Sequence, residues 1–140
     1  MKAARLVAPS TFDFIELEEP EPVDGQAKIK VDTVSVCASD IHGTFRAQRP
    51  EEDYPMAPGV PCHEIAGTVI ESKTDEIEVG QRAIVLPTRG SGGLSEYLVQ
   101  SPERIIPVPD WGPLDEWVMC QHTGTVLFSA KQWGNAAGKR

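Results

Sequence analysis

At 140 residues the chain has the length of one domain and can bury a core of its own. A formal net charge of −8 excludes a general binder of phosphate backbones, which needs a clustered cationic surface, so no nucleic-acid partner is expected. No apolar run approaches the roughly 20 residues of a membrane span, Met1-Lys2-Ala3-Ala4-Arg5 lacks a signal-peptide core, and three widely spaced cysteines do not make a disulfide framework; the expected compartment is the cytoplasm.

The first hundred residues read as short strands separated by turns. Lys2 to Val7, Phe12 to Glu18 and Lys28 to Val36 come first. In the third, Lys28, Lys30 and Asp32 alternate with Ile29, Val31 and Thr33, the period of two that a half-buried strand requires. Pro9-Ser10, Pro20-Glu21-Pro22 and Asp24-Gly25 supply the breaks. The acidic run of Glu16, Glu18, Glu19 and Glu21 reads as a solvated edge. From Arg46 to Pro61 four prolines mark an irregular connection. Ile65 to Glu71, Arg82 to Leu86, Leu94 to Val99 and Arg104 to Val108 continue the series, with Val79-Gly80 and Gly90-Ser91-Gly92-Gly93 as turns. The last of these reads as a flexible hairpin rather than a phosphate loop, since neither a helix nor a Lys follows. Strands at this spacing predict a mainly β, partly closed barrel. After Pro109 the pattern turns helical: a short turn opens at Asp115-Glu116, and a helix runs from Thr125 to Trp133 with Gly134 as its stop. Trp111, Trp117 and Trp133 are expected to pack this helical end against the barrel.

Chemistry concentrates in two segments, Cys37-Ala38-Ser39-Asp40-Ile41-His42 and Cys62-His63-Glu64, at opposite ends of the irregular connection. A catalytic zinc takes three protein ligands from Cys, His and carboxylate and keeps a fourth position open; Cys37 and His63 are natural candidates for two of them. Ser39 could present its hydroxyl to a metal-bound alcohol, and His42 could pass the proton towards solvent. Asp40 could accept a hydrogen bond from the second nitrogen of His63 and fix its tautomer. The same residues have plain readings as well: a lone Cys at a strand end is usually a small buried hydrophobe, and Ser-Asp usually makes a turn or a helix cap. Spacing alone leaves both open. His122 reads as a partly exposed histidine at a helix start.

The two segments resemble the signature segments of zinc-dependent medium-chain alcohol dehydrogenases, the second extending from Pro61 to Val69. Glu78-Val79-Gly80-Gln81-Arg82-Ala83 is similar to that family's "V-G-D-R-V" turn, and Gly92-Gly93-Leu94-Ser95-Glu96-Tyr97 to its "G-G-F-A-E-Y" segment. Gly124 to Ala130 resembles the helix leading to its nucleotide domain. The resemblance implies a GroES-like catalytic domain over residues 1–140, a partly open β-barrel with a few short helices. It implies Cys37 and His63 as zinc ligands, Ser39 and His42 as the proton relay, and Glu64 as a further ligand or close neighbour. The implied substrate is a small-molecule alcohol or carbonyl, oxidised or reduced with NAD(P).

Four departures from the family pattern stand out. The family's G-H-E is here Cys62-His63-Glu64, and a side chain at the first position would strain a left-handed backbone. The remaining ligand position falls at Gln121, beside Cys120, so Cys120, Gln121 or Glu64 is left to complete the metal shell. A four-cysteine structural zinc site is excluded by the three cysteines, leaving one catalytic zinc. No G-x-G-x-x-G fingerprint occurs, so NAD(P) is expected only with a Rossmann domain that these residues lack, and the chain by itself is expected to be inactive and to self-associate through the face such a domain would cover. A stand-alone GroES-like assembly module and a zinc-less quinone-reductase-type domain are the alternatives.

Overall fold

The computed structural model describes residues 1–47 and 49–134. Strands β1 (Lys2–Ala8) and β2 (Thr11–Glu16) form an antiparallel hairpin. The other five strands, β3 (Ala27–Ser35), β4 (Glu64–Ser72), β5 (Arg82–Val85), β6 (Tyr97–Gln100) and β7 (Ile105–Pro107), form an antiparallel sheet in the order β6-β3-β4-β5-β7. Helix α1 is a single turn, Ala38–Asp40, that runs on into a wide π-type turn, Ile41–Phe45. Helices α2 (Leu114–Trp117) and α3 (Cys120–Trp133) follow the last strand.

All seven expected strands form. Strand β6 begins at Tyr97 rather than Leu94 because the residues before it serve β1 instead. Ala4 N–H donates to the Leu94 carbonyl (2.8 Å) and Glu96 N–H to the Lys2 carbonyl (3.1 Å), and Ala3 bridges Ser95. These bonds roll the hairpin onto the edge of the five-stranded sheet and leave the other side open, so the barrel is partly open. Helix α3 starts five residues earlier than Thr125, a start that Thr123 and Gly124, poor helix formers, conceal in the sequence. Gly134 stops it as expected, with the left-handed φ of 68° that glycine adopts without penalty.

The inner face carries the period-two residues: Ala27 and Ile29 of β3, Ile65 and Val69 of β4, Ala83 and Val85 of β5, with Ile77, Leu98 and Ile105. The outer face of β4 and β5 is also covered, because Ala66 and Ile84 pack with Val118, Leu114 and Trp117 from the α2 region. Strand β4 therefore reads as an almost continuous apolar run, as a strand buried on both faces must. Of the three tryptophans, Trp117 packs against this cluster. Its ring meets that of Trp111 edge-on at 4.9 Å and its Nε1–H donates to the Trp111 carbonyl at 2.7 Å, while Trp111 and Trp133 themselves are exposed.

Two further expectations are corrected. The acidic run is more than a solvated edge: Lys28 is buried in the sheet, 5% exposed, and its Nζ–H groups donate to Glu19 (2.9 Å) and Glu21 (3.3 Å) while lying over the Tyr97 ring. The bond to Glu19 holds the lysine above its ordinary titration range, and the same bond holds Glu19 below its own. Nor is Gly90–Gly93 a flexible hairpin throughout. Gly92 and Gly93 are buried; a Cβ on Gly92 would sit 2.3 Å from the Gly59 carbonyl oxygen, and Gly93 N–H donates to the Cys62 carbonyl at 2.7 Å. This crossing fixes the segment that carries His63.

Strands β3 and β4 share the longest ladder. It carries two bulges, one between Lys28 and Ile29 and a second between Val31 and Thr33; at the second, Val31 faces Gly67 while Thr33 faces Ala66, and the ladder closes on Ser35 opposite Glu64. At this second bulge the backbones approach so closely that a Cβ on Gly67 would lie 2.2 Å from the Lys30 carbonyl oxygen. Gly67→Ala is predicted to cost about 1–3 kcal/mol through forced separation of the two strands. A denaturant midpoint equal to that of the parent would contradict this.

Candidate metal centre

Because the β3–β4 ladder ends at Ser35 opposite Glu64, the next residues on each side remain neighbours across the gap. Cys37 leaves β3 at the entrance of α1, and His63 stands just before β4. Their reactive atoms, Cys37 Sγ and His63 Nε2, are 3.8 Å apart. Glu64 is one residue further along and projects the other way, as successive residues of an extended chain must.

Asp40 fixes both sides of this pair. Its position three residues after Cys37 lets Oδ2 accept from the Cys37 backbone N–H at 3.1 Å, the return bond of a helix cap. Its Oδ1 lies 3.0 Å from His63 Nδ1. An ionised carboxylate only accepts, so the neutral imidazole carries its proton on Nδ1 and turns the lone pair of Nε2 towards Cys37. Asp40 is 2% exposed, which confines the carboxylate to these two partners. Ser39 Oγ lies 2.7 Å from Cys37 Sγ. His42, in the turn that continues α1, is exposed and makes no side-chain hydrogen bond among the described residues.

The donor set suits a zinc ion. A thiolate and an imidazole sharing one tetrahedral zinc stand roughly 3.6 Å apart, given bonds of about 2.3 and 2.0–2.1 Å; the observed 3.8 Å needs almost no adjustment. Among the described residues one such cluster occurs, Cys37, Asp40 and His63, with ligating atoms all within 4.8 Å of one another. Both oxygens of Asp40 are taken, so it acts on the ligands rather than as one. The His63 side chain is 45% exposed, which leaves the site open to solvent on one side.

The remaining candidates lie around this pair. The Glu64 carboxylate is buried and faces His122, with Nε2 and Oε2 2.8 Å apart but not aligned as a hydrogen bond. His122 is partly exposed, at the start of α3 as expected. Gln121 Nε2 donates to the His63 carbonyl at 2.9 Å, and since that carbonyl only accepts, the orientation of the amide is settled. Its Oε1 is buried without a partner, an arrangement that costs about 1–3 kcal/mol when nothing donates to it. Cys120 is exposed in an open groove of about 450 Å³ between the sheet and α3, lined also by Ile84, Leu86 and Phe128. Cys62 is fully buried and is not a member of the ligating cluster. Its backbone is not left-handed, Ser10 being the one non-glycine residue with positive φ among those described, so the expected strain does not arise. The contacts of Gln121 and His122 were not legible in the sequence, since each joins residues 58 positions apart and neither has a local pattern.

The fold defines a GroES-like domain, and this pair is its candidate metal centre. The alcohol dehydrogenase GroES-like domain family matches residues 23–110, and the chain belongs to that family. A zinc-type alcohol dehydrogenase-like protein of Haemophilus influenzae is 39% identical over 90 residues, 62% of this chain and 25% of that protein. An NAD-dependent alcohol dehydrogenase of Saccharolobus solfataricus is 34% identical over 136 residues, 87% of this chain and 39% of the relative. Among solved structures, 2R,3R-butanediol dehydrogenase from Bacillus subtilis superposes with a TM-score of 0.63 at 26% identity, over 78% of this chain and 40% of that one. A candidate zinc-binding dehydrogenase from Clostridium scindens gives a TM-score of 0.79 over 94% of this chain and 48% of that one; at 24% identity the likeness is one of fold. The chain thus spans between a quarter and two fifths of the length of these two curated relatives.

The three thiols differ in ways that chemistry can read. Burial, followed by the nearby Asp40 carboxylate, pushes the Cys62 thiol up to about 11. Its folded state is therefore at full strength below the ordinary thiol range and loses ground as pH rises through 11. With metal removed, alkylation at pH 8 is predicted to modify exposed Cys120 first and Cys37 more slowly, and to spare Cys62; zinc should then protect Cys37 alone. Labelling of Cys62 ahead of Cys37, followed by peptide mass spectrometry, would contradict the arrangement.

Proposed function

We propose that residues 1–140 form the substrate- and zinc-holding domain of an NAD(P)-linked oxidoreductase that interconverts a small alcohol or polyol and its carbonyl. The observation that carries this reading is the 3.8 Å approach of Cys37 Sγ to His63 Nε2 with Asp40 behind the imidazole. Cys37 and His63 would hold the ion. Glu64 would join them only by leaving His122, and the buried, unpartnered Gln121 Oε1 belongs to the amide that holds the His63 carbonyl. A zinc ion there would supply Lewis-acid polarisation of the substrate oxygen and ease loss of its proton. Ser39 Oγ would accept that proton while its own hydroxyl proton moves on. His42, three residues on along the same helical run and open to solvent, would pass it outward. Asp40 would keep His63 in the ligating tautomer throughout.

The hydride acceptor would be held elsewhere, because no G-x-G-x-x-G turn occurs in these residues. Exposed Val126, Leu127 and Phe128 on α3 support an interface on that helix, with self-association its simplest use. No described helix is long and apolar enough to cross a membrane, and three free thiols suit a reducing compartment such as the cytoplasm.

Metal analysis after expression in zinc-replete medium is predicted to give close to one zinc per parent chain and almost none for Cys37→Ala or His63→Ala. Asp40→Asn should bind about 10–100-fold more weakly. The 140-residue protein alone should show no NAD(P)-dependent alcohol oxidation. Equal zinc in all four proteins would remove the basis of this reading, and turnover by the chain alone would overturn the division of labour.

A further inference from the structure

Helix α3 exposes its residues from Thr123 to Trp133, and no residue of it is buried as a whole. What joins it to the ligand-bearing segment is its first turn, where Gln121 Nε2 donates to the backbone carbonyl of His63 and His122 meets Glu64. A leucine at position 121 could anchor the helix through the apolar groove formed with Ile84 and Leu86. An amide does so at the cost of a buried oxygen with no donor. The groove gives no reason to keep that oxygen there, whereas the carbonyl that the amide holds belongs to the very residue whose imidazole faces Cys37.

We propose that Gln121 is a positioning residue for His63. By holding the His63 carbonyl it fixes the peptide plane from which the side chain departs, while Asp40 fixes the rotation of the ring. The imidazole is thus constrained at its backbone by α3 and at Nδ1 by α1, and Nε2 is left where Cys37 Sγ lies 3.8 Å away. The inference rests on the reading of Cys37 and His63 as a metal centre.

Cobalt(II) titration of the full chain, followed by visible absorption, tests it. The parent should develop a thiolate-to-cobalt charge-transfer band and tetrahedral d–d bands. Gln121→Met, which keeps length and removes the donor, should retain the parent's far-UV circular dichroism, bind cobalt about tenfold more weakly and show shifted d–d bands. Phe128→Ala, which loosens α3 in the groove without touching His63, should match the parent in affinity and bands. Parent-like affinity and bands in Gln121→Met would overturn the proposal. So would the same loss in Phe128→Ala, or collapse of the metal-free fold in both Gln121→Met and Gln121→Leu, since each assigns Gln121 to anchoring the helix. A parent that gives no charge-transfer band would instead overturn the metal centre itself, a failure distinct from the others.

Discussion

The register of β3 against β4 is the constraint on which the rest of this structure depends. Two bulges, at Lys28–Ile29 and at Val31–Thr33, offset each other, so the ladder that opens with Ala27 opposite Ser72 closes with Ser35 opposite Glu64. A slip of one position would turn every side chain of β4 to the other face of the sheet. It would bury the wrong residues of Ile65-Ala66-Gly67-Thr68-Val69 and carry His63 away from Cys37. Gly67, at the closest approach of the two backbones, tolerates this register because it has no side chain to collide with Lys30. The inner core and the reactive pair are thus two consequences of one alignment.

From that alignment the site is built with few parts. Two residues beyond the end of β3 the chain turns into α1, and the helix-capping geometry brings the Asp40 carboxylate back over the start of the turn. The same carboxylate reaches His63, so a local feature of chain folding also sets the tautomer of an imidazole 23 residues away. On the other side, the Gly59–Gly92 contact and the bond from Gly93 to the Cys62 carbonyl hold the segment leading into His63. The imidazole is therefore held by groups from the α1 turn, the glycine crossing and the first turn of α3, three parts of the chain distant from one another in sequence.

What the sequence made legible was whatever has a local period or a local motif. The seven strands were visible because alternation and turn residues are short-range signals, and the helix stop at Gly134 because a left-handed cap has a residue preference. Cys37, His63 and the supporting carboxylate of Asp40 were visible through spacing and through resemblance to a known pattern. Long-range pairings were not. Nothing near Lys28 announces that it will be buried, since its partners Glu19 and Glu21 lie on a loop that folds back over it. The tight crossing of Gly92 on Gly59 reads locally as flexibility, because glycine serves both purposes. Gln121 drew notice only as a substitution at an expected ligand position, and its bond to the His63 carbonyl depends on how α3 meets the sheet. Large apolar rings read as packing groups in a sequence, yet Trp111 and Trp133 are exposed residues here.

Membership of the alcohol dehydrogenase GroES-like family rests on most of the chain, and the proposed chemistry rests on far less: one sulfur, one nitrogen and the carboxylate that orients them. The central claim is that Cys37 and His63 bind the same ion. X-ray absorption at the zinc edge of the metal-loaded protein tests this directly. The account predicts one sulfur neighbour at about 2.3 Å together with an imidazole nitrogen at about 2.0–2.1 Å, both lost in the Cys37→Ala, His63→Ala double variant. A shell of oxygen and nitrogen alone, with no sulfur, would contradict it.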